Sequence, residues 1–169
     1  MENVQILLRQ HVGAPCAAIV KAGDEVKKGT KIATPTGLGA NIFSSVYGVV
    51  EEVLEDRIVI RPDEEQKDEF VPIEVEDEND KLALVKEAGI VGMGGAGFPT
   101  GIKLGINLAE TEMAELDAEI NPELPADFKL EHSYILINAA ECEPGLEHNI
   151  RQIEEQSDKV VRGVKYCME

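Results

Sequence analysis

From Gly92 to Gly101 the chain reads Gly-Met-Gly-Gly-Ala-Gly-Phe-Pro-Thr-Gly, five glycines in ten positions. Glycine is costly to order, and a chain uses it where φ is positive or where a close approach leaves no room for a Cβ. The run follows the apolar stretch Leu82 to Val91 and precedes Phe98-Pro99-Thr100-Gly101-Ile102-Lys103-Leu104. Pro99 is suited to start a helix there. Backbone N–H groups at such a start attract phosphate, and Lys103 follows one turn on. A run of this kind brings backbone close to something flat or anionic. A plain turn between two packed elements accounts for the glycines equally well, since a lone GxGxxG-like match is weak.

At 169 residues the chain is long enough for one ordinary domain or two small ones. Its 43% hydrophobic content supports a core, but 4% aromatics and no Trp make that core one of Val, Ile, Leu and Ala. A net charge of −17 and a pI near 4.5 argue against nucleic acid and anionic membrane surfaces as partners. No apolar run approaches a membrane span and no signal h-region opens the sequence, so a cytoplasmic location is expected. Cys16, Cys142 and Cys167 form no CxxC pair and read as free thiols. His11 and Cys16 lie five apart without further ligand-type neighbours, which favours turn packing over a metal.

Residues 4 to 61 read as all-β, with short aliphatic strands at Val4 to Leu8, Ala17 to Val20, Lys31 to Thr34, Ile42 to Val50 and Arg57 to Arg61. Gly, Pro and Asp turns separate them, the spacing of a small sandwich or flattened barrel. An acidic stretch, Asp63 to Asp80, reads as a linker whose Phe70-Val71-Pro72-Ile73 grazes a surface. Asp80 to Gly89 predicts a short helix with Asp80 as its N-cap and Gly89 at its end.

A second acidic segment, Glu110 to Asp127, contains two prolines and reads as an excursion from the core. Tyr134-Ile135-Leu136-Ile137 predicts a strand buried on both faces. It runs into Asn138-Ala139-Ala140-Glu141-Cys142-Glu143-Pro144-Gly145. A helix is predicted from about Glu147 to Cys167, with Ile150, Ile153, Val160, Val161 and Val164 on its inner face. A polar turn between strand and helix lies at the carboxyl edge of a sheet, where open α/β folds bind ligands.

Two segments together are more specific than either alone. Gly92 to Lys103 resembles the flavin loop of the NADH-oxidising subunit of respiratory complex I, which reads GRGGAGFPTGLK. Asn138 to Gly145 resembles the NADE-x-EPG segment of the same family. Met93 and the Ala-Glu-Cys-Glu-Pro sequence are closer to its RnfC branch. The N-terminal part agrees: Leu8 to Pro15 resembles LxQHxGAP, Val20 to Ala33 resembles a GDxVxxGQxI segment, and Ser44 to Val50 resembles SSVSGVV. RnfC-like proteins include the proline-reductase-associated PrdC, and this acidic chain resembles that group too.

The resemblance implies an α+β or α/β chain. Residues 1–62 would form a barrel-sandwich hybrid, 63–80 an acidic linker, and 81–169 the first part of an α/β FMN/NADH-binding domain. Carriers with the hybrid fold expose a modified Lys at a hairpin tip. Thr34 to Asn41 contains no Lys, so covalent carriage of lipoate or biotin is not expected. The implied cofactors are FMN and NADH. Gly92, Gly94, Gly95, Ala96 and Gly97 would line the flavin and Lys103 would contact its phosphate. Phe98 would stack on the dinucleotide, while Asn138, Glu141 and Glu143 would sit near the isoalloxazine and nicotinamide. Ala140 replaces an Asp of the complex I pattern and removes one polar contact.

The activity implied is electron transfer from NADH through FMN to downstream redox centres. The partners would be the other members of an Rnf-type or proline-reductase complex, with no insertion of this chain into a membrane. Iron–sulfur clusters are expected only in a C-terminal part, because no CxxCxxC motif lies within these residues. The chain is therefore expected to be the N-terminal portion of a longer protein, inactive alone. It would be a truncated piece, or one ended at a recoded codon, since the PrdC group includes selenoproteins. A non-catalytic docking module that keeps the loops but binds no flavin is the competing reading.

Overall fold

The computed structural model describes residues 2–105 and 135–168. The chain divides into two units, Met1–Gly105 and Ile106–Glu169. The first is built on seven strands: β1 (Val4–Leu7), β2 (Cys16–Ala18), β3 (Glu25–Val26), β4 (Lys31–Pro35), β5 (Ile42–Phe43), β6 (Gly48–Val53) and β7 (Arg57–Pro62). They form a four-stranded sheet in the order β1-β7-β6-β3 and a three-stranded sheet in the order β2-β4-β5. Every pairing is antiparallel.

Alternation decides which side chains meet between the sheets. In β7, Ile58 and Ile60 are fully buried while Arg61 on the same strand is exposed. They join Ile6, Val50 and Val26 from the larger sheet and Ile32, Ala33 and Ile42 from the smaller one in a single core. A register shift between β4 and β5 lets the consecutive Ile32 and Ala33 both turn inward.

The predicted strand from Ile42 to Val50 is two strands. Ser44 separates them because its hydroxyl accepts from the Val46 N–H at 3.3 Å and donates to the Val46 carbonyl at 2.7 Å. That local turn competes with the ladder. The acidic stretch after β7 does graze the sheets. The Val71 N–H donates to the Lys28 carbonyl at 2.8 Å and the Tyr47 hydroxyl donates to the Glu69 carbonyl at 3.0 Å.

Helix α1 (Lys81–Glu87) begins as its sequence requires, the Asp80 carboxylate accepting from the Ala83 N–H at 2.8 Å. Its last residue, Glu87, forms an ion pair with Lys31 of β4 and accepts from the Asn41 side chain. Gly89 then turns the chain with φ of +64°, lying so close to β5 that a Cβ would sit 2.3 Å from the Asn41 carbonyl oxygen. Only glycine combines that backbone angle with that approach. Helix α2 (Thr100–Leu104) closes the first unit.

In the second unit, helices α3 (His148–Glu155) and α4 (Ser157–Met168) replace the single predicted helix. The break falls at Gln156, just before Ser157 and Asp158, residue types that start helices. The predicted inner face is not buried: Ile150, Ile153 and Val161 are all exposed. Residues 135–137 are not a strand, and Leu136 is 92% exposed. A strand exists only through ladder bonds to a neighbour, and among the described residues none pairs with this segment. Tyr134 and the excursion from Glu110 to Asp127 lie outside the described residues.

Candidate functional site

The glycine run is a loop tied at its neck. Val91 and Pro99 form an isolated antiparallel bridge, the Gly92 N–H donates to the Phe98 carbonyl at 3.0 Å, and the Thr100 N–H donates to the Ile90 carbonyl at 2.8 Å. Within the loop Gly95 and Gly97 have φ of +59° and +61°, angles that L side chains rarely adopt. A Cβ built on Gly94 or Gly95 would meet nothing within 4 Å. Both residues are exposed and offer bare backbone to whatever lies over them.

A segment of the β-rich part forms the other wall. The Val12 N–H donates to the Ala96 carbonyl at 2.8 Å, and Gly97 lies against the backbone of Gln10 and His11. Residues 9–12 and 92–97 together line a wide-open cavity of about 500 Å³. A second groove, of about 860 Å³, lies among α1, the β4–β5 loop and residues 74–77. It carries Glu74, Glu76, Asp77, Asp80 and Glu87 against Lys86, which disfavours any anionic cofactor there.

His11 fixes the 9–12 segment from below. The Ala40 N–H donates to Nε2 at 3.1 Å, so the partners assign the proton to Nδ1, which donates to the Val12 carbonyl at 3.0 Å. The Cys16 thiol donates to the Ala40 carbonyl at 3.3 Å. Burial pushes the Cys16 thiol above its ordinary value of 9.0, which keeps it protonated as that donor. The predicted turn packing of His11 and Cys16 is what the structure contains. The β4–β5 loop that would present a lysine in a carrier protein instead folds over this imidazole.

Lys103, predicted to meet a phosphate, and Phe98, predicted to stack on a dinucleotide, contact each other. The Lys103 ammonium lies 5.4 Å from the Phe98 ring centroid, an attraction of about 0.5–1 kcal/mol at an exposed position. Helix α2 starts from Pro99 without a side-chain cap.

The remaining predicted residues belong to the second unit. Asn138 is exposed and its side-chain oxygen accepts from the Ala140 N–H at 3.0 Å, an Asx-turn. Glu141 caps α3. One carboxylate oxygen accepts from the Asn149 N–H at 2.8 Å and the Ile150 N–H at 3.2 Å, two of the donors a helix start leaves unpaired. The other oxygen lies 3.2 Å from His148 Nδ1. Glu143 is exposed in the turn that ends at Gly145. Sequence reasoning assigns residues 9–12 no role in the site. The polar run Arg9-Gln10-His11 following strand β1 is the available signal.

Two family matches run in succession along the chain. Residues 1–78 match the RnfC barrel sandwich hybrid domain, and residues 85–169 match the Nuo51 FMN-binding domain. The chain belongs to the Nuo51 FMN-binding family, in its RnfC form. The expected architecture, a barrel-sandwich hybrid followed by an FMN-binding domain, is therefore correct, although the strands form two open sheets and no closed barrel. Relatives of this RnfC-type chain are components of ion-translocating oxidoreductases. One belongs to the proton-translocating ferredoxin:NAD(+) oxidoreductase complex of Clostridium ljungdahlii, and is 38% identical across 99% of the chain and 35% of the relative. Its counterpart in the Na(+)-translocating complex of Acetobacterium woodii is 34% identical across 99% of the chain and 37% of the relative. The corresponding component of the ion-translocating oxidoreductase complex of Rhodobacter capsulatus is 33% identical across 95% and 30%. The RnfC-type chain thus spans about a third of the length of the curated relatives it matches.

Proposed function

We propose that this chain is the flavin-receiving part of an electron-transfer protein, which takes electrons from NADH through FMN to further redox centres of an Rnf-type complex. In this reading residues 1–62 are the barrel-sandwich hybrid, 63–80 the acidic connection and 81–169 the first part of the FMN/NADH domain. One observation carries it. Within the stretch that matches the FMN-binding family, Gly94 and Gly95 present bare backbone. The adjoining depression suits a flat ring bearing an anionic group, because Gly94 and Gly95 put no Cβ over their backbone and its one fixed charge is positive.

Gly92, Gly94, Gly95, Ala96 and Gly97 would hold the face of the flavin. Lys103 would leave Phe98 for the phosphate. The contact given up is weak and the one gained is a charge-assisted hydrogen bond. FMN, when bound, supplies the exchange between a two-electron donor and one-electron acceptors. The protein's contribution is placement, keeping the nicotinamide and flavin rings in contact at about 3–3.5 Å. No described helix is long and apolar enough to cross a membrane, and the chain would sit at the periphery of its complex.

Titrating FMN into the purified chain tests the reading. Flavin fluorescence should quench and saturate at one equivalent. Unquenched emission throughout would overturn it. A docking module that binds no flavin is the second reading, favoured by the capping role of Glu141, whose carboxylate is already engaged at a helix end. It expects no quenching.

A further inference from the structure

The cavity beside the glycine loop has a wall that does not belong to the matched FMN-binding stretch. Residues 9–12 fall within the barrel-sandwich match, yet they line the same space as residues 92–97. The two segments are joined by the hydrogen bond from Val12 N–H to Ala96 O, and Gly97 could not carry a Cβ without crowding the Gln10 carbonyl at 3.3 Å. Gln10 is held by its own turn, its amide donating to the Leu7 carbonyl at 2.9 Å. His11 is buried beneath, with its ring nitrogens engaged.

Arg9 is different. It is exposed, it lines the cavity, and no ion pair involves it among the described residues. It is also the cavity's one fixed charge, in a chain whose net charge is −17. The loop brings no cation of its own, since residue 93 is Met. An anion approaching a protein this acidic meets repulsion nearly everywhere, so a lone guanidinium beside bare backbone amides marks where a phosphate is tolerated. Arg also matches phosphate geometrically, with two parallel N–H donors.

We propose that the barrel-sandwich domain contributes Arg9 to the cofactor site, where it binds a phosphate group of the nucleotide held at the glycine loop. This rests on the flavin reading above and extends it by a residue from outside the FMN-binding stretch. Two nucleotides present such a group, the monophosphate of FMN and the pyrophosphate of NADH. The domain would then be part of the binding machinery rather than only a scaffold.

The test compares wild type, R9Q and R9K by titration with FMN, riboflavin and NADH. Arg9 is exposed, so R9Q should keep the wild-type circular dichroism and melting curve. The proposal expects R9Q to bind FMN or NADH about tenfold more weakly or worse, the loss that accompanies one charged hydrogen bond. R9K should recover part of it. Riboflavin, which has no phosphate, should bind both proteins alike. A loss confined to FMN identifies its monophosphate as the target, and a loss confined to NADH identifies the pyrophosphate. If wild type binds FMN and R9Q binds FMN and NADH just as well, the Arg9 role is refuted while the flavin reading stands. If riboflavin binding falls with that of FMN, Arg9 does not act through phosphate and the proposal is likewise refuted. If wild type binds neither nucleotide, both readings fall together.

Discussion

Replacing Gly94 by Ala separates folding from ligand contact at the glycine loop. Gly94 does not have a positive φ, and a Cβ there meets nothing within 4 Å. The folded chain therefore loses nothing, while the unfolded chain loses conformational freedom. Stability should rise by about 0.4–1 kcal/mol, a few degrees in melting temperature for a unit of about a hundred residues. A flavin stacked on that backbone meets a methyl group in its place. Overpacking of this kind costs about 1–3 kcal/mol, so FMN should bind roughly 5- to 150-fold more weakly at about 1.4 kcal/mol per decade. Thermal melts followed by circular dichroism and FMN titrations on the same preparations provide both numbers. Wild-type FMN affinity in G94A would show that no flavin lies over residue 94. A melting temperature several degrees lower would refute the claim that the space above Gly94 is open.

Four further outcomes are expected. I58A removes a side chain with no exposure at the centre of the core and should cost about 2–5 kcal/mol in urea denaturation. G89A combines a φ of +64° with a Cβ 2.3 Å from the Asn41 carbonyl oxygen. It should release α1 from β5, read as faster amide exchange at Leu84 and Ala88. E141A removes the acceptor for two N–H groups at the start of α3, worth about 1 kcal/mol by analogy with N-cap losses, and should lower helical ellipticity at 222 nm. For Cys16, burial raises the folded thiol's pKa above 9.0. Its contribution to stability is complete below the unfolded value and is lost as pH rises through the folded one. Wild type should therefore lose stability as pH rises past the ordinary thiol range, a loss that C16A does not show, measured by denaturation at each pH.

Strand β7 is readable from its sequence because Ile58 and Ile60 alternate with Arg57, Val59 and Arg61 in a strict period of two, and a half-buried strand needs no more than that. The Asp80 cap of α1 is readable for a similar reason, since its partner lies three residues away. The division at Ser44 is less so, because a serine hydroxyl chooses between ladder and local turn according to its neighbours. The two-residue β3 carries no period at all. Ile135-Leu136-Ile137 has the composition of a buried strand, but a strand is defined by a partner that composition does not supply. At the site, the glycine loop is visible through its glycines. The wall formed by residues 9–12 is not, because it comes from some eighty residues earlier in the chain and meets the loop only through the tertiary fold. Glu141 is legible as a functional-type carboxylate. The start of α3 at His148 agrees with the predicted start near Glu147, but the capping role of Glu141 depends on the turn at residues 142–145 folding its carboxylate back onto that start, which spacing along the chain does not reveal.

The loop from Gly92 to Phe98 is fastened at its neck by the Val91–Pro99 bridge and near its tip by the Val12–Ala96 hydrogen bond. Flexible glycines are usually a liability for affinity, because a ligand that orders them forfeits about 1–2 kcal/mol for each backbone it fixes. Here that entropy is surrendered when the chain folds and both fastenings close, before any cofactor arrives. A nucleotide meeting this loop finds its shape already set, and a mutation that cut the tip fastening would weaken binding without touching the ligand.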